Sequence, residues 1–205
     1  MKYITNEEKI EIQNAVKNAE RKTSGEFVTI IAGKSESYFL FPIIWAAFGV
    51  LIAVIPLILV FTSKNAKIIL DIQLLIFVVM YLVFQIESIK MLIVPKKIRR
   101  ASVKKLAMEQ FLERGIANTK DHSGVLFFVS MAERCVEIIA DKGINDKVDK
   151  DAWQIIVDEF IENVHNQKMC NGFVTAVEKC GNLMSLHYPV QSDDKNELND
   201  NLIEL

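Results

Sequence analysis

The chain has 205 residues, a formal charge of −2 and 51% hydrophobic side chains, a balance that excludes a disordered polyelectrolyte and a strongly basic nucleic-acid binder. That length suits one ordinary domain with something added. Three cysteines without CxxC spacing point to neither a disulfide framework nor a zinc site, and read as reduced thiols of a reducing compartment.

The first element expected is an amphipathic helix from Thr5 to Arg21, opened by a Thr-x-x-Glu capping box and carrying Ile12, Ala15, Val16 and Ala19 on one face. Thr23, Ser24 and Gly25 stop it, and the β-branched run EFVTIIA, Glu26 to Ala32, suits a buried strand. The chain then changes character. Phe39 to Phe61 is a run of 23 residues without a charge, and Ile68 to Ile86 is a second apolar run with Asp71 and Gln73 in its first turn. Each is long enough, at about 1.5 Å per helical residue, to cross a hydrocarbon layer of about 30 Å. A six-residue link, TSKNAK, forces the pair to run antiparallel as a transmembrane hairpin.

Charge sets the expected orientation. Two lysines, Lys64 and Lys67, sit in or beside the link, whereas Lys34, Lys90, Lys96, Lys97, Arg99, Arg100, Lys104 and Lys105 flank the outer ends. Cytoplasmic loops carry the excess of Lys and Arg, so both termini are predicted cytoplasmic. No apolar signal-peptide core precedes residue 39. The expected location is therefore a membrane, multi-pass.

Beyond the hairpin, Ile98 to Thr119 reads as a helix and Gly124 to Ser130 and Cys135 to Asp141 as two strands joined by MAER. Asp149 to Val164 and Met169 to His187 follow as helices, the second ended by Pro189. One helix and one strand before the hairpin cannot close a core, so the strand at Glu26 is expected to pair with that at Gly124 through a helical crossover. The fold class is α/β, a small mixed sheet sandwiched by helices and interrupted by the two-helix hairpin. The expected organisation is residues 1–37 and 95–189 as the two parts of one domain, 38–94 as the hairpin with spans 39–61 and 68–86, and 190–205 as an acidic tail.

The stretches SGEFVTIIA and FLERGIANTKDHSGVLFFVSMAERCVEIIADKGI, with the long helix after them, resemble the TPM domain family. They are most similar to its bacterial membrane-protein branch, in which apolar helices interrupt the domain. The resemblance implies a small α/β sandwich anchored in a bacterial inner membrane, with relatives linked to photosystem repair, divalent-cation binding and phosphatase activity. It also implies a metal or phosphate site at the sheet edge, around a Gly-x-Gly-Leu-Glu segment and a following Asp. Here the matching stretch is DKGINDKVDKDAW, where Asp141 replaces the first Gly and Asn145 the Glu.

Asp141, Asp146 and Asp149, with Glu26 from the first strand, are thus the candidate metal ligands, offering oxygens suited to Ca²⁺ or Mg²⁺. The competing reading is a solvated loop in which Asp149 caps the next helix and Glu26 lies beside Arg134 or Lys120. No catalytic residue is assigned: His122, His165 and His187 lack ligand spacing, and HExxH, P-loop and GxSxG patterns are absent.

The leading functional expectation is a binding or assembly module held in the lipid bilayer for a membrane-protein partner, weakly binding a divalent cation. The alternative is a metal-dependent phosphatase, a phosphomonoesterase. No nucleic-acid partner is expected, and homo-oligomerisation stays open.

Overall fold

The computed structural model describes residues 3–60, 66–190 and 196–205, without the side chains of residues 56–60, 66 and 150. The expected link at Thr62, the end of the first span at Phe61 and the tail residues 191–195 lie outside the described residues. Two compact units emerge, Met1–Gly33 with Val103–Leu205 as one and Lys34–Ser102 as the other.

In the first unit, helix α1 (Asn6–Glu20) opens on the capping box. The Glu8 N–H donates to Thr5 Oγ1 at 3.3 Å and the Thr5 N–H donates to Glu8 Oε2 at 2.7 Å. These bonds to the ionised carboxylate hold Glu8 below its ordinary range. Strand β1 (Glu26–Ala32) follows, buried along its whole length, as is β2 (Gly124–Ser130). The two pair in parallel, Glu26 opposite Gly124 through to Ala32 opposite Ser130. Strand β3 (Cys135–Ala140) returns antiparallel on the far side of β2.

The sheet has a fourth member where an acidic tail was expected. Ile203–Glu204 forms β4, parallel to β1 at its other edge, so the order is β3-β2-β1-β4. Leu205 closes the pairing, its N–H donating to Ile31 O and its carbonyl accepting from Gly33 N, both at 2.9 Å. Two residues carry too little periodicity to signal a strand. What makes this strand is the open edge of β1.

Alternation along the strands divides the core. Phe27, Ile31, Val125, Phe127 and Val129 face α1 and the two late helices, α7 (Lys150–His165) and α8 (Met169–Ser185). Val28, Ile30, Ala32, Leu126 and Phe128 face Val103, Ala107 and Phe111 of α5 (Lys96–Glu113). The mixed sheet is therefore covered by helices on both faces. On the α7–α8 side Phe127, Phe160 and Phe173 form a mutual edge-to-face trio, with ring centroids 5.0, 5.6 and 5.1 Å apart.

Cys170 and Cys180 lie in this packing, and burial pushes both thiols from 9.0 to about 12, so they stay protonated. Cys135, on β3, is half-buried.

Helix α5 ends earlier than the apolar pattern suggests. Gly115 takes the left-handed conformation, φ +69°, which stops the helix, and a short 3-10 turn, Ile116–Asn118, follows. The stretch read as a loop after β3 contains a short helix, α6 (Lys142–Asn145).

The second unit holds α2 (Leu40–Val60), α3 (Ala66–Phe84), the short α4 (Glu87–Ile93) and the start of α5. Val94 is extended, as the residue before Pro95 tends to be, and this separates α4 from α5. Gly49 of α2 lets the helix pair pack closely, since a Cβ there would sit 2.3 Å from the Met80 methyl of α3. Lys67–Phe84 is long and apolar enough to cross a membrane, with mean hydropathy 2.3 and none of its length buried. The expected companion span is shorter in the described residues, where its apolar stretch runs Leu40–Ile55. Of the two expected spans, one is thus supported at full length.

Candidate functional site

The candidate ligands start from one row across the sheet. Glu26 opens β1 opposite Gly124, and the Asp141 N–H donates to the Gly124 carbonyl at 2.9 Å. Glu26 and Asp141 therefore stand at the same end of the sheet with β2 between them. The 3-10 turn lies over that gap: a Cβ on Gly124 would meet the Ile116 carbonyl oxygen at 2.2 Å and its Cγ2 at 2.6 Å. The turn occupies the place where the two carboxylates would otherwise approach.

Each acid has a structural place of its own. Buried Glu26 accepts from two backbone donors of the C-terminal segment, Glu197 N at 3.1 Å on Oε1 and Leu198 N at 3.2 Å on Oε2. Asp141 caps α6, accepting from Lys142 N at 2.7 Å, and its other oxygen lies 3.0 Å from His122 Nδ1. Asp149 caps α7 through Asp151 N at 3.2 Å, and Asp146 closes the far end of α6. Among the described residues no group of three or more His, Cys, Asp or Glu side chains converges as a cation site. The four candidates are thus not brought together: the short helix has Asp141 and Asp146 at its opposite ends, and Glu26 is turned onto the C-terminal segment.

Arg134 is not a neighbour of Glu26. It follows the β2 end of the register, whereas Glu26 and Gly124 begin it. Lys120 is nearer that beginning, its N–H donating to Glu197 Oε2 at 3.2 Å. A cavity of about 520 Å³ opens beside Glu26, lined by charges of both signs, Lys17 and Arg21 against Glu20 and Asp200.

Two hydroxyls near the sheet ends, those of Ser123 and Ser130, are engaged in structural bonds. Ser123 Oγ donates to the Ser24 carbonyl at 3.2 Å, and Ser130 Oγ donates to the buried Glu133 carboxylate in the β2–β3 turn.

At the opposite end of the sheet lies a second concavity, a groove of about 340 Å³ between that turn and the facing ends of α7 and α8. Its walls are apolar, with Met131, Val136, Phe160, Val164 and Met169 among them, and Arg134 and His165 supply the ionisable nitrogens among the described lining residues. Phe160 and Val164, four apart on α7, read in the sequence as core spacing, which conceals that they also line an opening.

Residues 87–183 match the TPM domain family. The chain carries a TPM domain. The matched stretch runs from α4 into α8 and includes β2 and β3, while α1 and β1 lie outside it and join it only through the sheet. A solved structure, that of the BA42 protein from the psychrophilic bacterium Bizionia argentinensis determined by NMR, is similar with a TM-score of 0.61 and 22% identity. The likeness covers 98% of this chain and 95% of that one, and at such identity it speaks for the fold. None of the curated proteins compared matches the chain.

Glu26 gives the TPM domain a measurable link between β1 and the C-terminal segment. Hydrogen bonds to a charged acceptor contribute about 1.5–3 kcal/mol each to a local structure. Glu26→Ala is expected to speed amide exchange at Glu197 and Leu198 by tenfold or more while Phe127 and Val129 in β2 stay protected. Unchanged exchange at those two amides would show that the carboxylate does not hold the segment.

Proposed function

We propose that this chain is a membrane-tethered binding module, in which the α2–α3 pair crosses the bilayer as a hairpin and holds the TPM domain on the cytoplasmic face for a membrane-protein partner. The observation that carries this reading is α3. Leu70, Leu74 and Leu82 are 63%, 65% and 60% exposed along one side of the helix, and the half-buried side, with Ile72, Ile76 and Phe77, is apolar as well. A helix apolar on every side belongs in a protein core or in lipid, and the core is ruled out by its exposure. The basic start of α5 supports the orientation, since Lys96, Lys97 and Arg100 follow the apolar pair after the short α4 and are exposed.

The test is alkaline extraction of membranes from cells making the full chain. Wild type is expected in the pellet. Leu74→Lys with Val78→Lys places two charges in the middle of α3, each costing about 2.5–3.5 kcal/mol there, and should move the chain to the supernatant or to degradation. Wild-type protein released by carbonate would overturn the tether. A reporter after Leu205 active only outside the cytoplasm would overturn the orientation and leave the tether standing.

A further inference from the structure

The groove at the turn end of the sheet is a second concavity with its own chemistry. It is of ligand size, since pockets for small molecules run from about 300 to 1,000 Å³ and are mostly apolar with a few placed polar groups. Two methionines line it, Met131 from the turn and Met169 from the start of α8, and such side chains adapt to flexible apolar ligands.

Its charge is one-sided. Among the described residues no Asp or Glu lines it, although the chain carries 26 of them, and the nearest acid in sequence, Glu133, is buried and turned onto Ser130. Arg134 is exposed, and its guanidinium makes no hydrogen bond or ion pair among the described residues. Its backbone is held at φ +50°, a strained conformation that is uncommon for a residue with a Cβ. Asn or Gly would relieve this. An arginine kept in that place, at the lip of an apolar groove with His165 on the opposite wall, is arranged to receive an anion whose remainder is apolar.

We propose that this groove binds a single-chain amphiphile with a carboxylate head, of the fatty-acid class, the acyl chain lying along Val136, Val164 and the two methionines and the head forked by Arg134. A planar guanidinium takes a carboxylate through two parallel N–H···O bonds, which an ammonium cannot reproduce. The proposal does not depend on the tether, and the cation candidates at the other end of the sheet play no part in it.

The experiment uses the full chain in discs of zwitterionic lipid with ¹³C-methyl-labelled methionine, titrated with octanoate as the probe. Met131 and Met169 are expected to shift saturably while core Met184, fully buried, does not. Arg134→Asn, chosen because Asn tolerates the left-handed backbone, should weaken octanoate at least tenfold. Arg134→Lys should weaken it several-fold, and octanol should bind wild type no better than octanoate binds Arg134→Asn. Equal binding of octanoate and octanol, an Asn variant that binds like wild type, or shifts spread uniformly over all methionines would each overturn the proposal. An apolar peptide binding where octanoate does not would do the same, and would mark the groove as a protein-docking surface.

Discussion

Phe173→Ala will lower the unfolding free energy of the sheet-bearing unit by about 3–5 kcal/mol, the range for emptying a buried aromatic site that cannot collapse. Phe173 is fully buried and stands edge-to-face to both Phe127 and Phe160, so its removal strips two rings of a partner at once. Each such pair is worth a further 0.5–1.5 kcal/mol or about that beyond area. Phe173→Leu retains most of the volume and should cost about 1–2 kcal/mol. Denaturant unfolding followed by the fluorescence of Trp153, which is buried on α7, reads both. A loss below about 1 kcal/mol for the alanine variant would mean that the trio is not the centre of the core.

Gly124→Ala is expected to be nearly as damaging although it adds a single methyl group. The new Cβ would meet the Ile116 carbonyl oxygen at 2.2 Å, a backbone atom that cannot rotate away, so the 3-10 turn or the strand must shift. Overpacking of this kind costs about 1–3 kcal/mol and sometimes more. It should also disturb the row from Glu26 to Asp141, raising amide exchange at Glu26 and Asp141. Gly33→Ala is the control, because its nearest neighbour, Tyr3 Oη, would be 3.5 Å away, ordinary contact, and stability should change by no more than about 0.5 kcal/mol. Equal stabilities for the two alanine variants would remove the steric argument for the turn over Gly124.

If the unit spanning Met1–Gly33 and Val103–Leu205 is a domain split by an insertion, the arrangement follows from pairing order. β1 must leave the sheet, pass through α5 and re-enter as β2, and a parallel neighbour always needs such a crossover. An insertion in the crossover changes loop length alone, a cost that grows slowly.

Much of this was written in local sequence. The capping box at Thr5 and Glu8, the continuous apolar runs of β1 and β2, and the unbroken apolar stretch of α3 are each legible because their cause lies within a few residues. The same holds for Asp149, whose carboxylate bonds a backbone N–H two residues away. The sequence by itself therefore determined the long helices and inner strands, the parallel pairing they require and the domain family matched over residues 87–183. Only the tertiary structure decided how the acids are used and where the chain's end goes. Glu26 is engaged by N–H groups 171 and 172 residues away, and Ile203–Glu204 becomes a strand because β1 has a free edge. The Arg134 groove likewise exists only where the β2–β3 turn meets α7 and α8. Long-range partners leave no periodicity behind, since a single backbone donor or an open sheet edge accepts almost any residue.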